Sequence, residues 1–174
     1  MTKYHLIFLI SFLLFLFSTS LHAQSIEQLH NEIDQQVWKP FIEAFEGLDG
    51  EALNKLYAES VLRVTPAGVD TEETFKVSNL RNFKQRKAAG ATIKLDFWLD
   101  TRQTTPSLSY EIGFFRITST LNGNTNINYG QFHIVLEKIN GVWKITQDWD
   151  SGTVNGKELN AEDFARKKPL SFNR

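Results

Sequence analysis

The chain has 174 residues, a formal net charge of −1, four histidines and no cysteine. That length suits one domain, and the near-neutral balance offers no basic footprint for nucleic acid or an anionic membrane. The missing cysteines exclude disulfides, and with only His30 and His133 beyond residue 23 neither a dedicated zinc site nor any cofactor is expected.

The chain opens with Lys3 and His5, then an apolar run from Leu6 to Phe17 broken only by Ser11. The small and polar residues Ser18 to Ala23 follow. This pattern predicts a secretory signal peptide, residues 1–23, cleaved after Ala23. A run of about twelve residues is too short for a bilayer core, which needs about twenty. The mature chain is therefore expected outside the cytoplasm, periplasmic or secreted, and free of the membrane after cleavage. Losing Lys3 and no acid leaves it a net charge of −2.

Ile26, Leu29, Ile33, Val37, Phe41, Phe45 and Leu48 recur at helical spacing. Pro40 interrupts them, which predicts a kink or two helices meeting there. Gly47 ends the run, and Asp49 can cap a short helix reaching Tyr57. Val61 to Thr65 reads as a short strand ahead of Pro66 and Gly68. Thr71, with Glu72 and Glu73 behind it, opens another helix, closed by Gly90, whose inner stripe is Phe75, Leu80 and Phe83. Its Arg81, Lys84, Arg86 and Lys87 read as a solvated face.

Strands follow. Ile93, Leu95, Phe97 and Leu99 alternate with Lys94, Asp96, Trp98 and Asp100. Further strands are expected over Leu108 to Thr118, Ile127 to Lys138 and Val142 to Asp150. Asn122-Gly123 and Asn140-Gly141 are two-residue hairpin turns. Residues 153–174 form a polar tail in which Asn160 can cap a short helix.

Two-residue turns fix register. Carried outward from Asn140-Gly141, the pairing sets Leu136 opposite Ile145, Ile134 opposite Gln147, His133 opposite Asp148 and Phe132 opposite Trp149. Phe132, Ile134, Gln147 and Trp149 then share the inner face, while His133 and Asp148 go outward. From Asn122-Gly123, Glu111 falls opposite Ile134 and Gly113 opposite Phe132. Tyr110, Ile112 and Phe114 also land outside. Either that face is buried against a second copy, or a bulge shifts the long strand.

Helices, a short strand, a helix and then a meander ending in Gly130, Gly141, Trp143, Lys144, Ile145, Asp148 and Trp149 resemble the nuclear transport factor 2-like superfamily, and within it the SnoaL-like exported bacterial domains. Leu56-Tyr57-Ala58-Glu59 matches the helix end usual there. The resemblance covers roughly residues 26–152, within an expected domain of residues 24–152. It implies an α+β cone: a curved antiparallel sheet with about three N-terminal helices packed on its concave face, over an apolar pocket. It also implies a homodimer, which through the outer sheet face would account for Tyr110, Ile112 and Phe114.

The candidate chemistry is sparse. Glu111, inward and near Gln147, is the first candidate acid or base, because burial raises a carboxylate's pKa toward neutrality. The plainer reading is a Glu paired with Arg63 or Arg116. His133 with Asp148 is the second, an oriented histidine, although the register puts it on the outer face. A bulge near Gly130 would bring His133 inward. Tyr57, Trp98, Tyr129 and Trp149 could line an aromatic pocket with Phe132, Ile134 and Gln147. No nucleophilic triad, phosphate loop or dinucleotide fingerprint is present.

Three functions follow. The first is an exported module binding a small apolar or aromatic ligand without turnover. The second is a cofactor-independent isomerase, cyclase or dehydratase using a pocket carboxylate or the His–Asp pair. The third is a protein-interaction domain working through its outer face.

Overall fold

A computed structural model describes residues 24–172. The expected signal peptide, residues 1–23, lies outside them. Four helical segments come first: α1 (Ile26–Ile33), a π-helical turn (Asp34–Trp38), α2 (Lys39–Glu46) and α3 (Gly50–Asn54). The strands β1 (Tyr57–Thr65) and β2 (Gly68–Asp70) precede α4 (Thr74–Ala88). The long strands β3 (Thr92–Thr104), β4 (Leu108–Leu121), β5 (Asn124–Ile139) and β6 (Val142–Ser151) follow. The chain closes with β7 (Thr153–Val154), β8 (Lys157–Glu158) and α5 (Ala161–Phe164).

The main sheet runs β2-β1-β6-β5-β4-β3. It is antiparallel except where β1 lies parallel to β6, a pairing that no local turn announces. The N-terminal helices cover its inner face. Leu29, Ile33 and Val37 meet Leu136, Trp143 and Ile145 in a core where each is at most 1% exposed. Among the described residues, no helix is long and apolar enough to cross a membrane.

At Pro40 two α-helices meet as expected, but with no break in the helical chain between them. The preceding turn widens instead, and the Lys39 N–H reaches the Asp34 carbonyl five residues back. A proline cannot donate the ordinary helical bond, and the wider turn absorbs that loss while aiming Trp38 inward. Asp49 caps α3 through the Ala52 N–H, but the helix stops at Asn54 and β1 begins at Tyr57. Helix α4 starts at Thr74, later than Thr71 suggests, because the Asp70 carboxylate accepts from the Thr74 hydroxyl and the Phe75 N–H. Leu80 departs from the expected inner stripe and is 43% exposed, whereas Phe83 is buried.

Both Asn-Gly turns form as expected, with positive φ at Asn122, Gly123, Asn140 and Gly141. The β4–β5 register holds throughout, placing Glu111 opposite Ile134 and Gly113 opposite Phe132. The β5–β6 register holds only from Ile139/Val142 to Leu136/Ile145. There Thr146 is an extra residue, and Val135 faces Gln147, Ile134 faces Asp148 and His133 faces Trp149. A one-residue bulge exchanges the two faces of everything beyond it. It lies in β6, not near Gly130, so His133 stays outside and Asp148 turns in.

Candidate functional site

A cavity of about 550 Å³ lies between the inner face of the sheet and the helices. Its β3–β5 side is aromatic: Phe97, Phe115 and Phe132 meet Trp38, Phe41 and Phe45 from the helical layer. Trp38 anchors this wall, with ring centroids 5.0 Å from Phe97 and 5.4 Å from Phe132. Two glycines shape it. A Cβ on Gly113 would stand 2.3 Å from the Phe132 Cζ, and one on Gly130 would stand 2.2 Å from the Phe115 Cζ. Each phenyl ring therefore lies across the bare backbone of the neighbouring strand.

The β1–β6 side is polar. The Tyr57 hydroxyl donates to Asp148 Oδ2 at 2.7 Å, and Arg63 Nη1 donates to Asp148 Oδ1 at 2.8 Å. Arg63 Nη2 also pairs with Asp150 Oδ2. These residues meet because β1 runs parallel to β6 with Arg63 opposite Asp148. The bulge at Thr146 makes this possible by turning Asp148 and Asp150 into the cavity.

Burial pushes the Asp148 carboxyl above its ordinary range, and Arg63 and Tyr57 oppose that rise. Burial, reinforced by the Asp148 charge, pushes the Tyr57 phenol well above its usual value. Asp70, at the β2 edge of the lining, is held down to about 2, chiefly by the Thr74 hydroxyl and then by backbone N–H groups at the start of α4.

Of the residues expected to line a pocket, Tyr57, Phe132 and Ile134 do so. Gln147 and Trp149 do not, because the bulge turns them to the outer face. Trp98 and Tyr129 also lie on the outer face. Trp98 stacks on Phe114 at 4.5 Å and donates its Nε1–H to the Phe164 carbonyl, while Tyr129 packs on Phe164. The tail thus covers part of that face, and α5 is the short helix capped by Asn160.

Glu111 is buried as its register predicts, but it is fully engaged and absent from the cavity lining. Trp38 Nε1 donates to it at 2.7 Å, Arg102 Nε at 3.1 Å and the Ser109 hydroxyl at 3.0 Å. Burial raises its pKa, with Arg102 the main opposing influence. Its arginine is Arg102, rather than Arg63 or Arg116. Glu111 acts on the cavity by fixing the Trp38 indole.

His133 and Asp148 do not form a pair. The His133 ring meets Trp149 edge-on at 4.7 Å, and its Nδ1 lies 2.7 Å from the Tyr110 hydroxyl. Burial lowers its pKa. Asp148 belongs instead with Tyr57 and Arg63. Sequence reasoning passed over Arg63, as an Asp148 partner, with Asp150 and Asp70 on the polar side, and Trp38, Phe41, Phe45, Phe97 and Phe115 on the aromatic side. The i, i+2 spacing of Asp148 and Asp150 was the available signal. Among the described residues no cluster of three His, Cys, Asp or Glu side chains is arranged to hold a metal ion.

No family model and no curated protein matches the sequence. Solved structures do match in shape. A nuclear transport factor 2-like protein of unknown function from Shewanella oneidensis is 20% identical, with 70% of this chain and 98% of that one covered and a TM-score of 0.58. A nuclear transport factor 2-like superfamily protein from Salmonella enterica serovar Typhimurium is 18% identical over 75% of this chain and 95% of its own, with a TM-score of 0.57. A protein from Catenulispora acidiphila, solved in complex with S-DNPA, is 15% identical over 71% and 92%, with a TM-score of 0.59. The curved, mostly antiparallel sheet with helices N-terminal to it is the nuclear transport factor 2-like fold that these structures share.

Proposed function

We propose that this protein is an exported small-molecule-binding domain, its ligand held in the cavity by an apolar body and one polar group. The observation that carries the reading is the two-sided lining: aromatic rings on the β3–β5 side, and Tyr57, Arg63, Asp148 and Asp150 on the β1–β6 side. Apolar concavities with a few fixed polar groups are the usual form of small-molecule sites. The Catenulispora neighbour, which shares the fold, was solved in complex with S-DNPA. Native mass spectrometry of the purified protein tests the reading. A retained mass is expected on the wild type and not on Ser78→Trp, which puts a bulky side chain in the cavity lining. A ligand retained equally by Ser78→Trp would place binding elsewhere.

One observation favours turnover as a second reading. Asp148 is a buried carboxyl of raised pKa that faces the cavity and is oriented by Tyr57 and Arg63. Such a group can move a proton on a bound substrate. Deuterium incorporation from solvent beside the carbonyl of 4-phenylcyclohexanone, lost in Asp148→Asn, would support it. No incorporation above the uncatalysed rate would remove it.

Self-association through the uncovered part of the outer face, around Tyr110, Ile112 and Trp149, is a separate proposal. It rests on these side chains being only half-buried. Sedimentation equilibrium decides it: a single species at monomer mass at all concentrations would refute it.

A further inference from the structure

The polar side of the cavity has a direction. Its one described cation, Arg63, is already paired with two carboxylates, and the Tyr57 hydroxyl with one of them. The single proton of the Tyr57 hydroxyl goes to Asp148 Oδ2. Arg63 Nη1 serves Asp148 Oδ1 and the Asp148 carbonyl, and Nη2 serves Asp150 Oδ2. The acceptors are not used up in the same way. Among the described residues Asp150 Oδ1 takes no hydrogen bond, and the Asp150 side chain, in the cavity lining, is 27% exposed. The Asp70 carboxylate, also in the lining, remains ionised while it caps α4. Among the described lining residues, three carboxylates therefore face one guanidinium. Ser78 and Thr65 add hydroxyls, which can donate or accept.

A ligand carboxylate or phosphate entering this space would meet surplus negative charge and no uncommitted cation. A ligand cation would find a vacant carboxylate oxygen, and its flanks would face the aromatic rings, whose π faces attract positive charge. We propose that the cavity selects amines: molecules with an apolar, ring-sized body and one ammonium group, seated with the ammonium at Asp150 and the body against Trp38, Phe97 and Phe132. This rests on the cavity being the binding site, and it adds the charge of the ligand.

Three probes of equal length test it: 4-phenylbutylamine, 4-phenylbutan-1-ol and 4-phenylbutyrate, titrated calorimetrically into the purified wild-type protein. The amine is expected to bind at least about tenfold more tightly than the alcohol, and the carboxylate to give no measurable heat. Asp150→Asn should erase the amine's advantage over the alcohol, and Asp150→Glu should retain most of it. If the alcohol or the carboxylate binds as well as the amine, the cavity still binds ligands and the charge selection is overturned. If none of the three binds, while circular dichroism shows a folded protein, the binding reading falls with it. The wild-type comparison requires no variant to fold.

Discussion

Phe132 and Gly113 face each other across β5 and β4, and the phenyl ring occupies the space where a side chain at position 113 would begin. A Cβ there would also stand 2.6 Å from the Trp98 carbonyl, so moving the Phe132 ring alone gives no relief and the backbone of β3 must shift as well. Gly113→Ala is expected to destabilise the fold by about 1–3 kcal/mol, the usual cost of overpacking. Chemical denaturation checks the magnitude. An unchanged midpoint would mean that both the ring and the facing strand give way freely.

Arg102 carries most of the charge compensation for Glu111, which has no exposure to water. Arg102→Met would leave a buried carboxylate with only Trp38 and Ser109 as donors. The expected loss is about 3–5 kcal/mol, typical of breaking one side of a buried pair. Glu111→Gln should cost less, since it removes the charge together with the need to compensate it. Equal losses in the two variants would show that the hydrogen bonds matter more than the charge.

Asp70 and Asp148 give opposite pH signatures. The folded-state pKa of Asp70 is depressed to about 2. Its contribution is therefore present above its unfolded value of about 3.9 and fades as pH falls toward 2. Asp70→Asn should flatten the acid limb of a plot of thermal midpoint against pH. An acid limb of wild-type steepness in this variant would contradict the capping role.

The folded-state pKa of Asp148 is raised. The fold then binds its proton more tightly than the unfolded chain does. That part of the stability is complete below the unfolded value and is lost as pH rises through the folded one. Asp148→Asn should remove this decline on the rising-pH side while keeping Arg63 and Tyr57 partnered. A decline of the same size in the variant would move the effect to Glu111, whose pKa is also raised.

The sequence made the helical layer, the two Asn-Gly hairpins and the inward position of Glu111 legible, because each depends on local spacing. The face assignment in β6 failed at one residue. Nothing in Lys144-Ile145-Thr146-Gln147 marks Thr146 as extra, since an open bulge requires no glycine and its side chain simply approaches the Val135 carbonyl. That residue exchanges Gln147 and Trp149 for Asp148 and Asp150 on the inner face. The parallel contact of β1 with β6 was illegible for another reason: Arg63 and Asp148, which it brings together, are 85 residues apart in the chain. It joins Arg63 to Asp148, so the centre of the site depends on a pairing that no local pattern encodes.

The stretch after Lys167 has a bearing on how the protein behaves in a crowd. Strand β3 is thirteen residues long and lies at an outer margin of the sheet, where an open row of backbone groups can recruit a strand from another molecule. The Leu170 N–H takes the Phe97 carbonyl at 2.8 Å, Phe172 packs against the core and Lys167 pairs with Asp100. At the opposite margin β2 is only three residues long and offers little template. Residues 167–172 thus cover part of the β3 border and shorten the open row of backbone groups with which a second molecule could pair.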